Sequence, residues 1–444
     1  MPSNRSSDMY STKMWDRACR LKLHKTDREV ERSLAFVLRN AAAAVPFWSE
    51  RLKGAVDGGR IALSDLPITT REDLLEAELA ARTHRRADLR RCIRTSTSGF
   101  SGVPLTILLS RPEAAFRKLM VFHTLRRYAP LRLPLRIADI GPMVPHDRRP
   151  LEQRLGAVQI HRLPGDMSVA QQAAALRSCQ PNLIEGYPTC LELLAETLRE
   201  TQEDSFRPRL VVCRGEALHD RVRALLTEIF RAPIADLYSC EEAGNIAWEC
   251  PQTPGRYHIN RDACLVEIVD DNDRPVHGTE GRILVTTLYS RTTPFIRLEL
   301  GDRGRLIGSS GDRCVCGQRG PFLVHLMGKD DDEVVLADGR RISPRVLTNA
   351  VFNALRSPHR VHELSAAVRR YQVAQKAPDL VEVRIVWNEG PDATIAARIA
   401  EEIAETGAGL RCVCRSVGAL ELLSSGKFKK VIRTFPTDGR AQSD

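Results

Sequence analysis

The segment Tyr238–Cys250, YSCEEAGNIAWEC, concentrates more chemistry than any other part of the chain. It follows a short apolar run, Ala232–Leu237, which has the length and composition of a buried strand. Two adjacent carboxylates, Glu241 and Glu242, follow that strand, and the segment closes on Cys250. Acidic pairs are costly inside a protein unless a cation or hydrogen bonds compensate them. The pair therefore points to a metal or phosphate site. Cys250 opens a second possibility, a metal held by sulfur.

Working outward, apolar strands alternate with helical patterns on the N-terminal side. Arg136–Ile140, Leu183–Ile184, Leu210–Val212 and Ile234–Leu237 read as strands; a stretch after Ser168, Thr189–Glu200 and Asp220–Phe230 read as helices. This alternation predicts an α/β sheet with helices on its faces. Further upstream, a helical stripe carries Leu34, Leu38 and Ala42, Thr70 caps a second helix, and a helix is expected over Glu113–Tyr128. Between them, Ile93–Ser110 reads as strand, hydroxyl-rich loop, strand. Downstream, Cys264–Val269, Gly281–Leu288, Phe295–Leu300 and Gly304–Ile307 predict a β-rich region over about 251–328. An acidic run follows, then a compact α+β pattern. The expected organisation is a large domain over 1–328, a linker or hinge at 329–333, and a small domain over 334–444.

The net charge of +10 invites a nucleic-acid reading, and arginines cluster over Arg82–Arg94. Aromatic residues are only 5%, and no basic stripe interleaves stacking side chains, so a solvated arginine-rich surface is the expectation. No apolar run approaches the roughly 20 residues of a membrane span, and the first residues lack an apolar signal core. Twelve cysteines scattered without a framework spacing fit a reducing, cytoplasmic setting.

Five segments in order, TSTSGFSGVP (95–104), CRGEALHDRV (213–222), YSCEEAG (238–244), RLELGDRGRL (297–306) and SSGKFKKVIR (424–433), resemble the adenylate-forming superfamily. The similarity is to its phenylacetate–CoA ligase branch with the capsule-biosynthesis relatives, over residues 30–433. The resemblance implies a large multi-subdomain α/β N-terminal domain with a smaller mobile α+β C-terminal domain. It implies ATP-dependent activation of an organic acid to an acyl-adenylate, then transfer to coenzyme A, or alternatively to an acyl-carrier protein or an amine. A non-catalytic nucleotide-binding protein of the same fold is the reading from another class.

Residue by residue, Ser98, Gly99, Ser101 and Gly102 match the loop around the ATP phosphates. Gly215, Glu216 and Tyr238 match the adenine surroundings, with Asp236 in the same ATP-binding set. Asp302 matches the carboxylate that grips the ribose hydroxyls, and Glu242 the magnesium-binding glutamate. Lys427 matches the mobile lysine that bridges substrate carboxylate and α-phosphate, and Asp331 the hinge. Two positions depart from the pattern: Val103 stands where the family usually has lysine, and Lys329 where it usually has arginine. Tyr187, Ala217 and Gly244 are the pocket-lining candidates, and their small or aromatic character favours an aryl acid. No nucleic-acid or membrane partner is expected, and a dimer is the candidate oligomeric state.

Cys250, His258, Cys314 and Cys316 offer three sulfurs and one imidazole, a closed structural zinc site if they meet in space. The alternative is a set of unrelated cysteines and a surface histidine. The resemblance carries the same cysteine–histidine arrangement. Cys412 and Cys414 alternate along a predicted strand and read as core packing.

Overall fold

The computed structural model describes residues 25–53, 63–97, 105–141, 158–164, 167, 169–329, 334–336, 338, 340–342, 344–357, 360–364, 367–387, 390–406, 408–420 and 431–435. The chain divides into two compact units, Met1–Leu326 and Met327–Asp444.

The first unit opens with helices α1 (Asp27–Ala44), α2 (Pro46–Arg51) and α3 (Arg71–Glu76), then a hairpin of β1 (Ile93–Ser96) and β2 (Thr106–Leu109). Thr70 and Asp73 form a capping box that starts α3. Helix α4 (Arg111–Leu125) leads into β3 (Leu135–Gly141), β4 (Val158–Pro164), α5 (Val169–Cys179), β5 (Leu183–Gly186), α6 (Pro188–Glu200), β6 (Leu210–Arg214), α7 (Asp220–Phe230) and β7 (Ile234–Cys240). The strands β3 to β7 are parallel, in the order β4-β3-β5-β6-β7. One face is covered by α5, α6 and α7, whose buried residues Leu176, Leu191, Leu194 and Leu226 pack on Ile140, Ile184 and Val211. The other face carries Leu135, Leu183, Val212 and Leu237 against Leu125 and Trp248.

The antiparallel strands β8 (Gly244–Cys250), β9 (Thr253–Ile259), β10 (Cys264–Val269), β11 (Glu280–Thr287), β12 (Leu298–Ile307) and β13 (Phe322–Lys329) extend the same sheet as β10-β11-β12-β13-β9-β8-β7. The β-rich region is therefore continuous with the parallel sheet. Sequence reading also missed β4, β8, β9 and β13, and split β12 in two at Gly301-Asp302. Gly301 has φ +74°. Across it, Arg282 and Leu284 on β11 pair with Arg303 and Glu299. The glycine makes a bulge inside one strand instead of a turn between two. Within the arginine cluster, Arg82 is buried and donates to the carbonyls of Ala77 and Thr106. It departs from the solvated surface expected there.

The second unit contains β14 (Val334–Val335), β15 (Arg341–Ile342), α8 (Pro344–Leu355), β16 (Arg356–Ser357), β17 (Arg360–Leu364), β18 (Val368–Ala377), β19 (Leu380–Trp387), α9 (Ala393–Glu405), β20 (Arg411–Ser416) and β21 (Val431–Arg433). Its main sheet runs β20-β19-β18-β21. Leu347, Val351, Ile395 and Ile399 from the helices meet Val373, Val383 and Ile385 in its core, with Cys412 and Cys414 partly buried beside them. Among the described residues, no helix is long and apolar enough to cross a membrane.

Candidate active site

Strands β7 and β8 are joined by the three-residue turn Glu241-Glu242-Ala243, followed by Gly244 at φ +74°. A left-handed residue after a tight turn is how a three-residue hairpin closes, and glycine adopts it without steric cost. The turn is buttressed from behind by Arg117 of α4. Its guanidinium donates to the Glu241 and Glu242 carbonyls, each at 2.6 Å, and to the Tyr289 hydroxyl. Tyr289 in turn donates to the Ala243 carbonyl at 3.2 Å. Three successive carbonyls are thus occupied, which holds the backbone from which the two acidic side chains project.

Those side chains meet the β1–β2 hairpin. Thr95 Oγ1 donates to Glu241 Oε2 at 2.8 Å. Arg71, at the start of α3, lies 3.6 Å from Glu242 Oε1 and donates to Thr97 Oγ1 at 2.9 Å. Thr97 also bonds Leu105 across the hairpin, since its Oγ1 accepts from Leu105 N and its N–H donates to Leu105 O. One carboxylate with a single arginine nearby retains lone pairs for a hard cation, which takes oxygen ligands and keeps several waters. Arg71 and Arg117 were missed in the sequence, where each looks like an ordinary surface arginine.

On the other side of the turn, the loop after β6 is shaped by Gly215 at φ +77°, above which lies the Tyr187 ring. A Cβ at 215 would stand 2.6 Å from Tyr187 Cε1. Glu216 accepts from Thr189 N at 3.2 Å and Thr189 Oγ1 at 2.7 Å, tying this loop to the start of α6. Ala217 is exposed.

Tyr238 donates to Asp302 Oδ2 at 2.7 Å. Four steps in the hydrogen-bonded order separate β7 from β12, or about 19 Å in a flat sheet. The antiparallel half must therefore curl over, and the bulge at Gly301 turns Asp302 toward Tyr238. Burial, with the Asp302 carboxylate beside it, holds the Tyr238 hydroxyl well above its ordinary value, so it stays a donor. Asp236 is buried on the same strand and accepts from Tyr257 at 2.6 Å.

Cys250, His258, Cys314 and Cys316 converge, with their ligand atoms all within 4.8 Å of one another. Cys250 Sγ is 3.6 Å from Cys314 Sγ, and Cys316 Sγ is 3.2 Å from His258 Nε2. Two sulfurs on a tetrahedral zinc would stand about 3.8 Å apart. Burial, then the charges of Arg127 and Arg256, lower His258 to about 4, which keeps the imidazole neutral and able to ligate. Its Nδ1 is buried with no hydrogen-bond partner among the described residues. Burial disfavours the Cys314 thiolate, but hydrogen bonds from the Cys316 backbone and Arg256 outweigh it and lower the thiol's pKa. The donor set fits zinc.

Ser98, Gly99, Ser101, Gly102, Val103, Asp331 and Lys427 lie outside the described residues, as does the side chain of Lys329.

No family model matches the chain. The protein CapK of Staphylococcus aureus is 27% identical over 128 residues, which is 29% of this chain and 27% of that relative. Among solved structures, 2-hydroxyisobutyryl-CoA ligase in its postadenylation state superposes with TM-score 0.73 at 18% identity, covering 92% of this chain and 89% of that one. ATP-bound MatB from Rhodopseudomonas palustris gives TM-score 0.52 at 15% identity, covering 76% of this chain and 66% of that one. The chain therefore has the fold of the adenylate-forming ligases, as its five ordered motifs imply.

Proposed function

We propose that the chain activates a carboxylic acid with ATP and transfers the acyl group to the thiol of coenzyme A. The observation that carries this reading is the docking of the β1–β2 hairpin on the Glu241–Glu242 turn. It brings Thr95, just before the Ser98–Gly102 segment, to the Glu241 carboxylate 146 positions away, while Arg71 joins Thr97 to Glu242.

In the first step a substrate carboxylate oxygen attacks the α-phosphorus, the bond to the β-phosphate bridging oxygen breaks, and pyrophosphate leaves. Repulsion between two anions opposes that attack. Ser98, Gly99, Ser101 and Gly102 hold the phosphates; Lys427 supplies positive charge between carboxylate and α-phosphate. Glu242 would hold magnesium, which adds positive charge at the same oxygens. Gly215, Glu216, Asp236 and Tyr238 shape the adenine side. Asp302 accepts the ribose hydroxyls, aimed by Tyr238, Lys329 adds positive charge to the ATP-binding set, and Asp331 is the hinge. In the second step the thiol sulfur attacks the acyl carbon and AMP leaves. The small unit moves between steps to withdraw Lys427. Cys250, His258, Cys314 and Cys316 would hold a structural zinc, joining β8 and β9 to the loop before β13.

The test measures pyrophosphate and AMP release with a panel of acids, with and without coenzyme A. Acid-dependent release of both, with thioester formed only when coenzyme A is present, is expected. Acid-dependent release without thioester would move the acceptor to a carrier protein or an amine. No release with any acid would favour the non-catalytic reading that Val103 suggests.

A further inference from the structure

The parallel half of the sheet breaks its own pattern on one face. On β3, Leu135 and Ile137 face inward, and the next residue on that face is Asp139. On β4 the sequence is Val158, Ile160, then Arg162; on β5 it is Leu183, then Glu185; on β6 it is Leu210, Val212, then Arg214. The register aligns them: Asp139 pairs with both Arg162 and Glu185 across the strands. Four neighbouring strands therefore end in charged residues, at the carboxyl edge where open α/β sheets bind ligands.

The four form one row. Arg214 Nη2 lies 2.9 Å from Asp139 Oδ1 and 3.7 Å from Glu185 Oε1, while Arg162 Nε lies 3.8 Å from Asp139 Oδ2. They are not sealed: the side chains keep 40% of their exposure at Arg214, 31% at Arg162 and about a fifth at Asp139 and Glu185. Arg214 Nε is buried without a hydrogen-bond partner among the described residues. The row reaches the candidate active site, because Arg214 immediately precedes Gly215, over which the Tyr187 ring lies, and Glu185 stands two residues before Tyr187.

We propose that this row is the recognition surface for the acid, and that the acid is aliphatic and carries hydroxyl groups; this rests on the adenylation reading above. With the carboxylate at the Glu241–Gly244 turn, the remainder of the acid lies over Tyr187 and Arg214. Hydroxyls both donate and accept, matching two carboxylates flanked by two guanidinium groups. The four charges cancel, so a net charge on the substrate gains nothing overall. An aryl or alkyl chain would strip water from all four without replacing its hydrogen bonds. This differs from the aryl expectation, which considered only Tyr187, Ala217 and Gly244.

The experiment measures pyrophosphate release with gluconate, glycerate, hexanoate, 6-aminohexanoate and phenylacetate. A hydroxylated acid should exceed the others in kcat/KM by about 100-fold, because a site built for hydroxyls rejects analogues without them. Arg214→Met, and Arg214→Met with Glu185→Gln so that no charge is left unpaired, should lower kcat/KM for that acid at least tenfold and raise it for hexanoate. A preference for phenylacetate, hexanoate or 6-aminohexanoate, or an equal loss on all acids in folded variants, would overturn the proposal. Release with none of the five would count against the adenylation reading instead. Thermal stabilisation then decides the row: stabilisation by gluconate or glycerate beyond hexanoate upholds it, and anything else overturns it.

Discussion

A methyl group at position 215 has nowhere to go. Gly215→Ala would put a Cβ 2.6 Å from the Tyr187 ring at a backbone angle of φ +77°. Strain of about 1–3 kcal/mol is expected at such a residue. The variant should melt several degrees lower and lose at least tenfold in acid-dependent pyrophosphate release, as read by calorimetry and a coupled assay. Tyr238→Phe removes the hydrogen bond that aims Asp302. One such bond is worth about 1 kcal/mol, so KM for ATP should rise about fivefold with kcat nearly unchanged. At this scale the sequence was legible where a residue sits in a motif, as Gly215, Tyr238 and Asp302 do. Arg71 and Arg117 were not legible, and Arg214 lies in the same motif as Gly215 without a role of its own there. An isolated arginine at a helix start or within a helix has no pattern to separate it from surface charge. Only the fold shows what each one faces.

Helix α4 matters because it carries Arg117 to the back of the Glu241–Ala243 turn, and its start is secured by Glu113. That buried carboxylate accepts from Ser110 N at 2.6 Å, Arg291 N at 2.5 Å and Thr292 N at 2.9 Å, as well as from the hydroxyls of Ser110 and Thr292. Burial alone would raise its pKa, but the bonds from Thr292, Arg291 and Ser110 outweigh it and hold the carboxyl below the ordinary glutamate value. A depressed carboxylate contributes stability that is complete above its unfolded pKa and is lost as pH falls through the folded one. Denaturant midpoints should therefore fall as pH drops below about 4.5. Glu113→Gln should cost about 2 kcal/mol at neutral pH and show a flatter acid limb. Among elements, the alternating helices and buried strands were legible because short apolar runs stand between amphipathic ones. β4 was not, since His161 and Arg162 interrupt its alternation at the edge of the sheet. β12 was divided because a glycine in a bulge has the same signature as a glycine in a turn.

For the whole molecule, the motif order was readable end to end, and the fold agrees with it. The curl of the sheet that brings Asp302 to Tyr238 was not readable, because register and bulges are set by pairing across distant strands. The cysteine–histidine cluster is a test at this scale. The purified protein should carry about one equivalent of zinc by elemental analysis. Cys314→Ser should abolish it, and chelation should lower the melting temperature by several degrees. Full metal content in Cys314→Ser would remove the cluster as its site. The central claim is that one chain performs two half-reactions, with Lys427 serving only the first. The direct measurement compares wild type with Lys427→Ala in acid-dependent ATP–pyrophosphate exchange and in thioester formation from supplied acyl-adenylate. Exchange should fall at least 100-fold while thioester formation stays within a fewfold of wild type, since the charge stabilises only the phosphoryl step. Equal loss of both half-reactions, or exchange that survives the substitution, would contradict it.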